Sequence, residues 1–200
     1  MKRLLARLWN STSGSSAAEF ALTLPALLVF LFGIIDAGRF AWEYNKAEKA
    51  TQIGARFAAV TDPVAPALAT YDFTGGGVSA GDPIPASSFG VLRCDSTGCT
   101  CQTNPCPAGV GAIGGSWTQL VARMRQIDPA IKDTNVQVEY RGSGVGFAGD
   151  PTGMDIVPIV TVQLTGMTFR PLTLLSIKVM DMPDFHSSLT AEDSIGTQSN

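Results

Sequence analysis

Few side chains in this sequence have the types and spacing that catalysis requires. The single histidine, His186, is not accompanied by a nucleophile motif, so neither a Ser-His-Asp nor a Cys-His arrangement is indicated. Asp150 and Asp155 flank a Gly-containing turn, but the acidic spacing of a calcium loop is missing, which favours a turn role. The sequence therefore predicts a protein that is not an enzyme and needs no cofactor.

The four cysteines form one cluster with the spacing Cys94-x4-Cys99-x-Cys101-x4-Cys106. In an exported segment, four cysteines indicate two disulfides. A zinc site is the competing interpretation, and the distance of the only histidine along the chain counts against it. Pairing Cys99 with Cys101 would make a tight ring. Two arrangements stay open: Cys94–Cys99 with Cys101–Cys106, and the crossed one.

Glu19 lies at the edge of a long apolar stretch. Residues 20–35 carry no charge, and Thr23 is their only polar side chain. At about 1.5 Å per residue they cover roughly 24 Å, and extension to Trp42 gives roughly 34 Å, which brackets a hydrocarbon core of about 30 Å. A carboxylate drawn into that layer costs about 2.5–3.5 kcal/mol and usually has a partner. The simpler alternative is a helix-dipole contribution of about 0.3–1 kcal/mol at the helix entrance.

Charges on either side of this stretch predict its orientation. Lys2, Arg3 and Arg7 precede it, whereas acidic and basic residues are mixed after it, so the N-terminus is expected in the cytoplasm. We predict a single span over about residues 18–42, continuing as an amphipathic helix to about residue 61. A cleaved secretory signal would need a small-x-small site after the apolar region, and Ala37-Gly38 is a poor candidate.

The residues around Gly14 resemble the prepilin pattern of a short basic leader, a glycine and a hydrophobic helix whose fifth residue is Glu. Removal of residues 1–14 would make Ser15 the first residue and Glu19 the fifth. The resemblance implies that a prepilin peptidase cleaves between Gly14 and Ser15 on the cytoplasmic side and that the helix is retained. Glu19 could then pair with the new amino terminus of a neighbouring subunit and set axial register.

Three blocks resemble the TadE-like proteins of tight-adherence, type IVb-like pili: residues 16–25 (SAAEFALTLP), 32–39 (FGIIDAGR) and 50–59 (ATQIGARFAA). They occur in the family's order, with Asp36 where Glu is common. Glu19, Phe20 and Pro25 fall on the first block and are assigned to assembly and register. Pro25 is tolerated in membrane helices when the freed carbonyl of Ala21 finds another donor. The resemblance implies a minor pilin or pseudopilin that takes part in pilus biogenesis.

The remainder of the chain predicts an exported α+β domain. Residues 62–115 are rich in Gly and Pro and are expected to form a loop region that holds the cysteine cluster. In residues 116–200 we expect a helix through about Ile127, with Ser116 or Thr118 as its cap, and strands at 135–140, 156–164 and around 177–179. The predicted fold is a long N-terminal hydrophobic helix packed on an antiparallel sheet with a disulfide-bearing loop.

The partners expected from this interpretation are the prepilin peptidase, the inner-membrane assembly platform, other pseudopilins and the major pilin. With a net charge of -3 and 14 Lys and Arg residues along the chain, nucleic acid is not an expected partner. The expected location is the bacterial inner membrane with a periplasmic C-terminal domain, and incorporation into an extracellular pilus is a further outcome. The alternative is a permanently membrane-anchored periplasmic or surface binding module.

Overall fold

The structure is a computed structural model that describes residues 14–107, 111–150, 154–172, 179–191 and 194. Its helices are α1 (Ser15–Val60), α2 (Pro66–Ala69) and α3 (Gly115–Arg125). Its strands are β1 (Val91–Asp95), β2 (Gly98–Thr103), β3 (Val136–Arg141), β4 (Ile159–Leu164), β5 (Thr168–Phe169), β6 (Met180–Asp181) and β7 (Phe185–Thr190). These elements give the α+β class that the sequence predicts.

Helix α1 is the longest element, with 46 residues and Pro25 in its interior. It ends at Val60, two residues before Asp62, whose helical conformation is disfavoured by the following Pro63. The single long helix predicted from the sequence is confirmed. Its residues up to Trp42 belong to one compact unit, together with the described residues between Phe169 and Met180, and its residues from Glu43 onward belong to a second compact unit.

The second unit is built around an antiparallel sheet of five strands in the order β2-β1-β3-β4-β7. The register pairs Leu92 with Tyr140 and Tyr140 with Val160, and the same side chains are buried. Burial alternates strictly along β4, as expected for a strand with one face on a core. The predicted strands at 135–140 and 156–164 correspond to β3 and β4.

Helix α1 and helix α3 pack within this unit through small and flexible residues. Ala47 and Ala50 of α1 are fully buried, and Gly54 lies so close to α3 that a Cβ there would sit 2.9 Å from the Met124 sulfur. The same Cβ would be 3.3 Å from a methyl carbon of Val162 on β4. The second part of α1 therefore packs against both α3 and the sheet, as the predicted fold requires.

Polar contacts fix the same packing. The hydroxyl oxygen of Tyr140 accepts a hydrogen bond of 2.8 Å from the backbone N–H of Val64, just past the end of α1, and both residues are buried. On α1, the Lys46 ammonium lies 2.6 Å from the Glu43 carboxylate and 3.4 Å from the buried Asp128 carboxylate after α3. Burial lowers the pKa of Lys46, but the hydrogen bonds and charges of Glu43 and Asp128 outweigh it, so the pKa is raised.

Two expectations differ from the structure, one strand was not expected, and one expected strand is not tested. Residues 62–115 were expected to be a loop, but they contain the hairpin of β1 and β2, which pairs with β3. Neither Ser116 nor Thr118 caps α3, because both lie inside the helix, and the Ser116 hydroxyl donates to the carbonyl of Pro63. β7 has no counterpart among the predicted strands, and the strand expected around residues 177–179 lies largely outside the described residues.

Candidate functional site at the N-terminal helix

The residues predicted to act in processing and assembly all lie at the beginning of α1. The helix begins at Ser15, directly after Gly14, and a Cβ added to Gly14 would meet no atom within 4 Å. Gly14 and Glu19 are both exposed, and Glu19 is the fifth helical residue. The Gly14–Ser15 peptide bond thus adjoins the first helical residue, and the carboxylate follows about one turn later.

The surface of α1 from Phe20 to Ile35 is apolar on every side. Large apolar side chains from Phe20 to Ile35 are exposed, with Leu22 80% and Phe30 70% accessible. An 18-residue window of this helix has a mean hydropathy of 2.2, and none of the window is buried. A helix that is apolar all round is suited to lipid or to other apolar helices rather than to water. The protein therefore has one N-terminal helix long and apolar enough to span a membrane.

Pro25 is accommodated without an end to the helix. Proline has no N–H, so the carbonyl of Ala21 loses its usual intrahelical donor. Two residues before Pro25, the exposed hydroxyl of Thr23 donates to the carbonyl of Phe20 over 3.3 Å, so the only polar side chain of residues 20–35 has an acceptor within the helix. The apolar stretch of α1 therefore contains one proline, Pro25, and one hydroxyl, that of Thr23, which is hydrogen-bonded within the helix.

At the far end of the apolar stretch, α1 holds a second segment of the first unit. The carboxylate of Asp36 accepts a 2.8 Å hydrogen bond from the backbone N–H of Leu172, and Arg39 donates to the carbonyl of Arg170 over 3.3 Å. The Arg39 guanidinium also lies 3.4 Å from the Asp36 carboxylate and 5.4 Å from the centre of the Phe169 ring. We call Asp36, Arg39 and Phe40 of α1, together with the segment from Phe169 to Leu172, the outer clamp.

Aromatic packing completes the outer clamp. The rings of Phe40 and Phe169 meet edge to face, with 5.4 Å between centroids and 83° between planes. Such a pair contributes about 0.5–1.5 kcal/mol beyond its buried area. Sequence reasoning missed the outer clamp because its two halves are about 130 residues apart in the sequence, with the widest pair, Asp36 and Leu172, separated by 136. The only local signal was the Asp36 and Arg39 spacing at the end of the apolar run.

All four cysteines are in disulfides, and the pairing is Cys94–Cys99 and Cys101–Cys106. This is the uncrossed one of the two arrangements that the sequence left open. Cys94 and Cys99 are directly opposite each other on β1 and β2 and are buried, whereas the other pair joins β2 to the chain that follows it and is half-buried. The cluster therefore fastens the hairpin at the edge of the sheet and offers no thiolate to zinc.

Of the two acidic residues that flank the turn, Asp155 has a structural role. The buried carboxylate of Asp155 accepts hydrogen bonds from the backbone N–H groups of Phe73, Gly149 and Asp150 at 2.9 to 3.0 Å. Backbone donors around a carboxylate stabilise it without a cation. No group of three or more His, Cys, Asp or Glu that could hold a metal occurs in the part of the chain that the structure describes.

Comparison with known protein families gives a match that lies on Gly14 and α1. The family model described as TadE-like protein matches residues 14–56, so the match begins at Gly14 and covers most of α1. The resemblance predicted from the three sequence blocks is confirmed. Neither a curated protein nor a solved structure matches the chain. The family match connects this protein with the tight-adherence pilus system.

Proposed function

We propose that this protein is a minor pilin or pseudopilin that takes part in biogenesis of a tight-adherence pilus and is assembled through α1. The observation that carries the proposal is the order of features on one unbroken helix. Gly14 precedes the first helical residue, Glu19 follows, and the apolar surface begins at Phe20. The TadE-like match begins at the same glycine.

Processing is the first step of this proposal. A prepilin peptidase would hydrolyse the Gly14–Ser15 bond on the cytoplasmic side and leave a positively charged amino group on Ser15. The exposure of Gly14 supports access to this bond. The basic leader, with Lys2, Arg3 and Arg7, favours a cytoplasmic N-terminus, and the disulfides fit an oxidising periplasm for the second unit.

Assembly is the second step. Glu19 at the edge of the apolar surface would enter the hydrophobic interior of a helical assembly, where an unpaired carboxylate costs about 2.5–3.5 kcal/mol or more. The amino group of a neighbouring subunit offsets that cost only at one axial offset between helices. Phe20 and Pro25 belong to the same contact surface. The inner-membrane platform, other pseudopilins and the major pilin are the partners in this step.

The second unit supports a minor rather than a major role. It brings a five-stranded sheet, two further helices and two disulfides to a chain whose assembly segment is α1 alone. The single histidine, His186, is exposed on β7, and the function proposed for the protein is structural rather than enzymatic.

Exchange of Glu19 tests the assembly step. Glu19→Ala should be processed and held in the membrane but should reduce pilus formation strongly, because the register contact is lost. The matched control is Glu48→Ala, which removes an exposed carboxylate of α1 whose hydrogen-bond partner is Gln52 on the same helix. Sheared pili would be quantified in strains that carry each variant. Normal piliation with Glu19→Ala would refute an assembly role for this carboxylate.

A further inference from the structure

We infer that the segment from Phe169 to Leu172 is a second membrane contact, which the outer clamp holds in the interfacial layer of the outer leaflet. This inference rests on the proposed insertion of α1 in a bilayer. The outer clamp consists of Asp36, Arg39 and Phe40 on α1 with the segment from Phe169 to Leu172. The partner is a lipid surface, and all of the contacts that define the site lie within the first unit.

The depth of the outer clamp follows from α1. Asp36 is the first charged residue after residues 20–35, so its carboxylate marks the end of the hydrocarbon layer. Six residues separate it from Trp42, which is about 9 Å along a helix. An interfacial layer is about 5–8 Å thick on each side of a bilayer. The stretch from Asp36 to Trp42 therefore traverses the interface.

Leu172 is held where the interfacial layer meets the hydrocarbon core. Its backbone nitrogen is 2.8 Å from the Asp36 carboxylate, so the leucine lies at nearly the same depth as the carboxylate. Its side chain is nevertheless 72% exposed. An apolar side chain held at this depth and turned away from the protein is placed against acyl chains.

The residues around the outer clamp have the chemistry of an interface. Trp42 is 67% exposed, and tryptophan is enriched at the boundary between lipid and water. Arg170 is exposed, and its long side chain can reach lipid phosphates while its stem stays among apolar groups. Where the chain returns on β6, Met180 is half exposed as well. This part of the protein can therefore place apolar side chains, those of Trp42 and Met180, and the Arg170 guanidinium in the same headgroup layer.

Depth-dependent fluorescence quenching tests the lipid contact. The full chain would carry Leu172→Trp in a background with Trp9→Phe and Trp42→Phe, while the buried Trp117 remains as a constant signal. It would be reconstituted in vesicles of phosphatidylethanolamine and phosphatidylglycerol that contain acyl chains brominated near the headgroup. The control reporter is Phe147→Trp, an exposed site of the second unit.

We expect brominated lipid to quench the reporter at position 172 at least about twofold more than the reporter at position 147, because the inference assigns a lipid contact to position 172 and none to position 147. Equal quenching at the two sites, with the chain retained in the vesicles after alkaline washing, would overturn the lipid contact alone. Release of the chain by alkaline washing would overturn membrane anchoring and, with it, the lipid contact. A reporter at 172 that neither brominated lipid nor aqueous acrylamide quenches would indicate a protein contact and also overturn the inference.

Two substitutions test whether Asp36 positions Leu172. Asp36→Ala removes the acceptor of the Leu172 N–H and should reduce quenching of the reporter at position 172 toward the control value. Asp36→Asn keeps an oxygen at the same place and should restore most of the quenching. Glu48→Ala serves as the control on the same helix. Full quenching with Asp36→Ala would overturn the positioning role.

Discussion

Replacement of Tyr140 by phenylalanine isolates one hydrogen bond that joins the sheet to the chain leaving α1. The Tyr140 oxygen accepts from the Val64 N–H at 2.8 Å, and the two residues are 1% and 2% exposed. Burial raises the pKa of Tyr140, and the hydrogen bond from Val64 only partly opposes this, so the hydroxyl is neutral at physiological pH. Phenylalanine keeps the ring and its packing and removes only the acceptor.

The loss leaves a buried N–H without its partner, which costs about 1–3 kcal/mol. This corresponds to a decrease of about 5-fold to 150-fold in the ratio of folded to unfolded protein. The assay is urea unfolding of the full chain in detergent micelles, followed by Trp117 emission with Trp9 and Trp42 replaced by phenylalanine. Trp117 is buried on α3 in the same unit and therefore reports its unfolding.

Tyr71→Phe is the matched control. Tyr71 is half-exposed, and its contact with Phe73 is a ring contact with 4.8 Å between centroids, which phenylalanine preserves. Its free energy of unfolding should stay within about 0.5 kcal/mol of the wild-type value. If Tyr140→Phe costs no more than Tyr71→Phe, the reasoning about the Val64 hydrogen bond is wrong.

Three further changes probe the second unit by the same unfolding assay. Gly54→Val forces three carbons toward the buried Met124 and should lower the free energy of unfolding by about 1–3 kcal/mol, whereas Gly115→Val, where a Cβ meets no atom within 4 Å, should change it little; equal effects would contradict the close packing of α1 and α3. The two disulfides close loops of equal length, so each contributes about 2 kcal/mol by chain entropy. Serine replacement of the buried pair, Cys94 and Cys99, should lower the free energy of unfolding by about 1–3 kcal/mol more, because two hydroxyls are then buried. Equal losses of stability for the two pairs would count against the observed burial. Because the pKa of Lys46 is raised in the folded chain, its ion pairs stabilise the fold below the unfolded pKa of about 10.4, and this stability should be lost as pH rises through the folded pKa; Lys46→Met should remove that pH dependence, and its persistence would assign it to another group.

The elements that the sequence predicted best are those with a strong period. The apolar run and its amphipathic continuation predicted α1 to within a residue of its end at Val60, and alternation predicted β3 and β4. β7 was missed because it is an edge strand: four of its six residues are exposed and polar ones dominate, so no buried face marks it. β1 and β2 were missed because they lie in a segment rich in Gly, Pro and Cys, and because β3, which pairs with the other side of β1, begins over 30 residues after β2 ends.

In the candidate site too, the sequence predicted the features set by a local pattern and missed those set by long-range contacts. Gly14, Glu19 and the apolar surface are contiguous in sequence, so a local pattern was sufficient to find them. The outer clamp depends on a contact between Asp36 and Leu172, which are more than a hundred residues apart in the sequence. A single sequence contains no pattern that predicts such a contact. Ser116 is one of the two caps that residue type suggests for α3, yet its hydroxyl donates to the carbonyl of Pro63 before the helix, a tertiary contact that overrides local preference.

Mass spectrometry of the mature N-terminus tests the central claim most directly. The protein would be purified from the membrane of a strain with an intact tight-adherence system, beside a Gly14→Val variant, in which the side chain blocks the peptidase. We predict that the wild-type chain starts at Ser15 and that the variant keeps its leader. An intact leader in the wild-type chain, or a start beyond Ala37, would contradict it and favour a permanent anchor or a secretory signal.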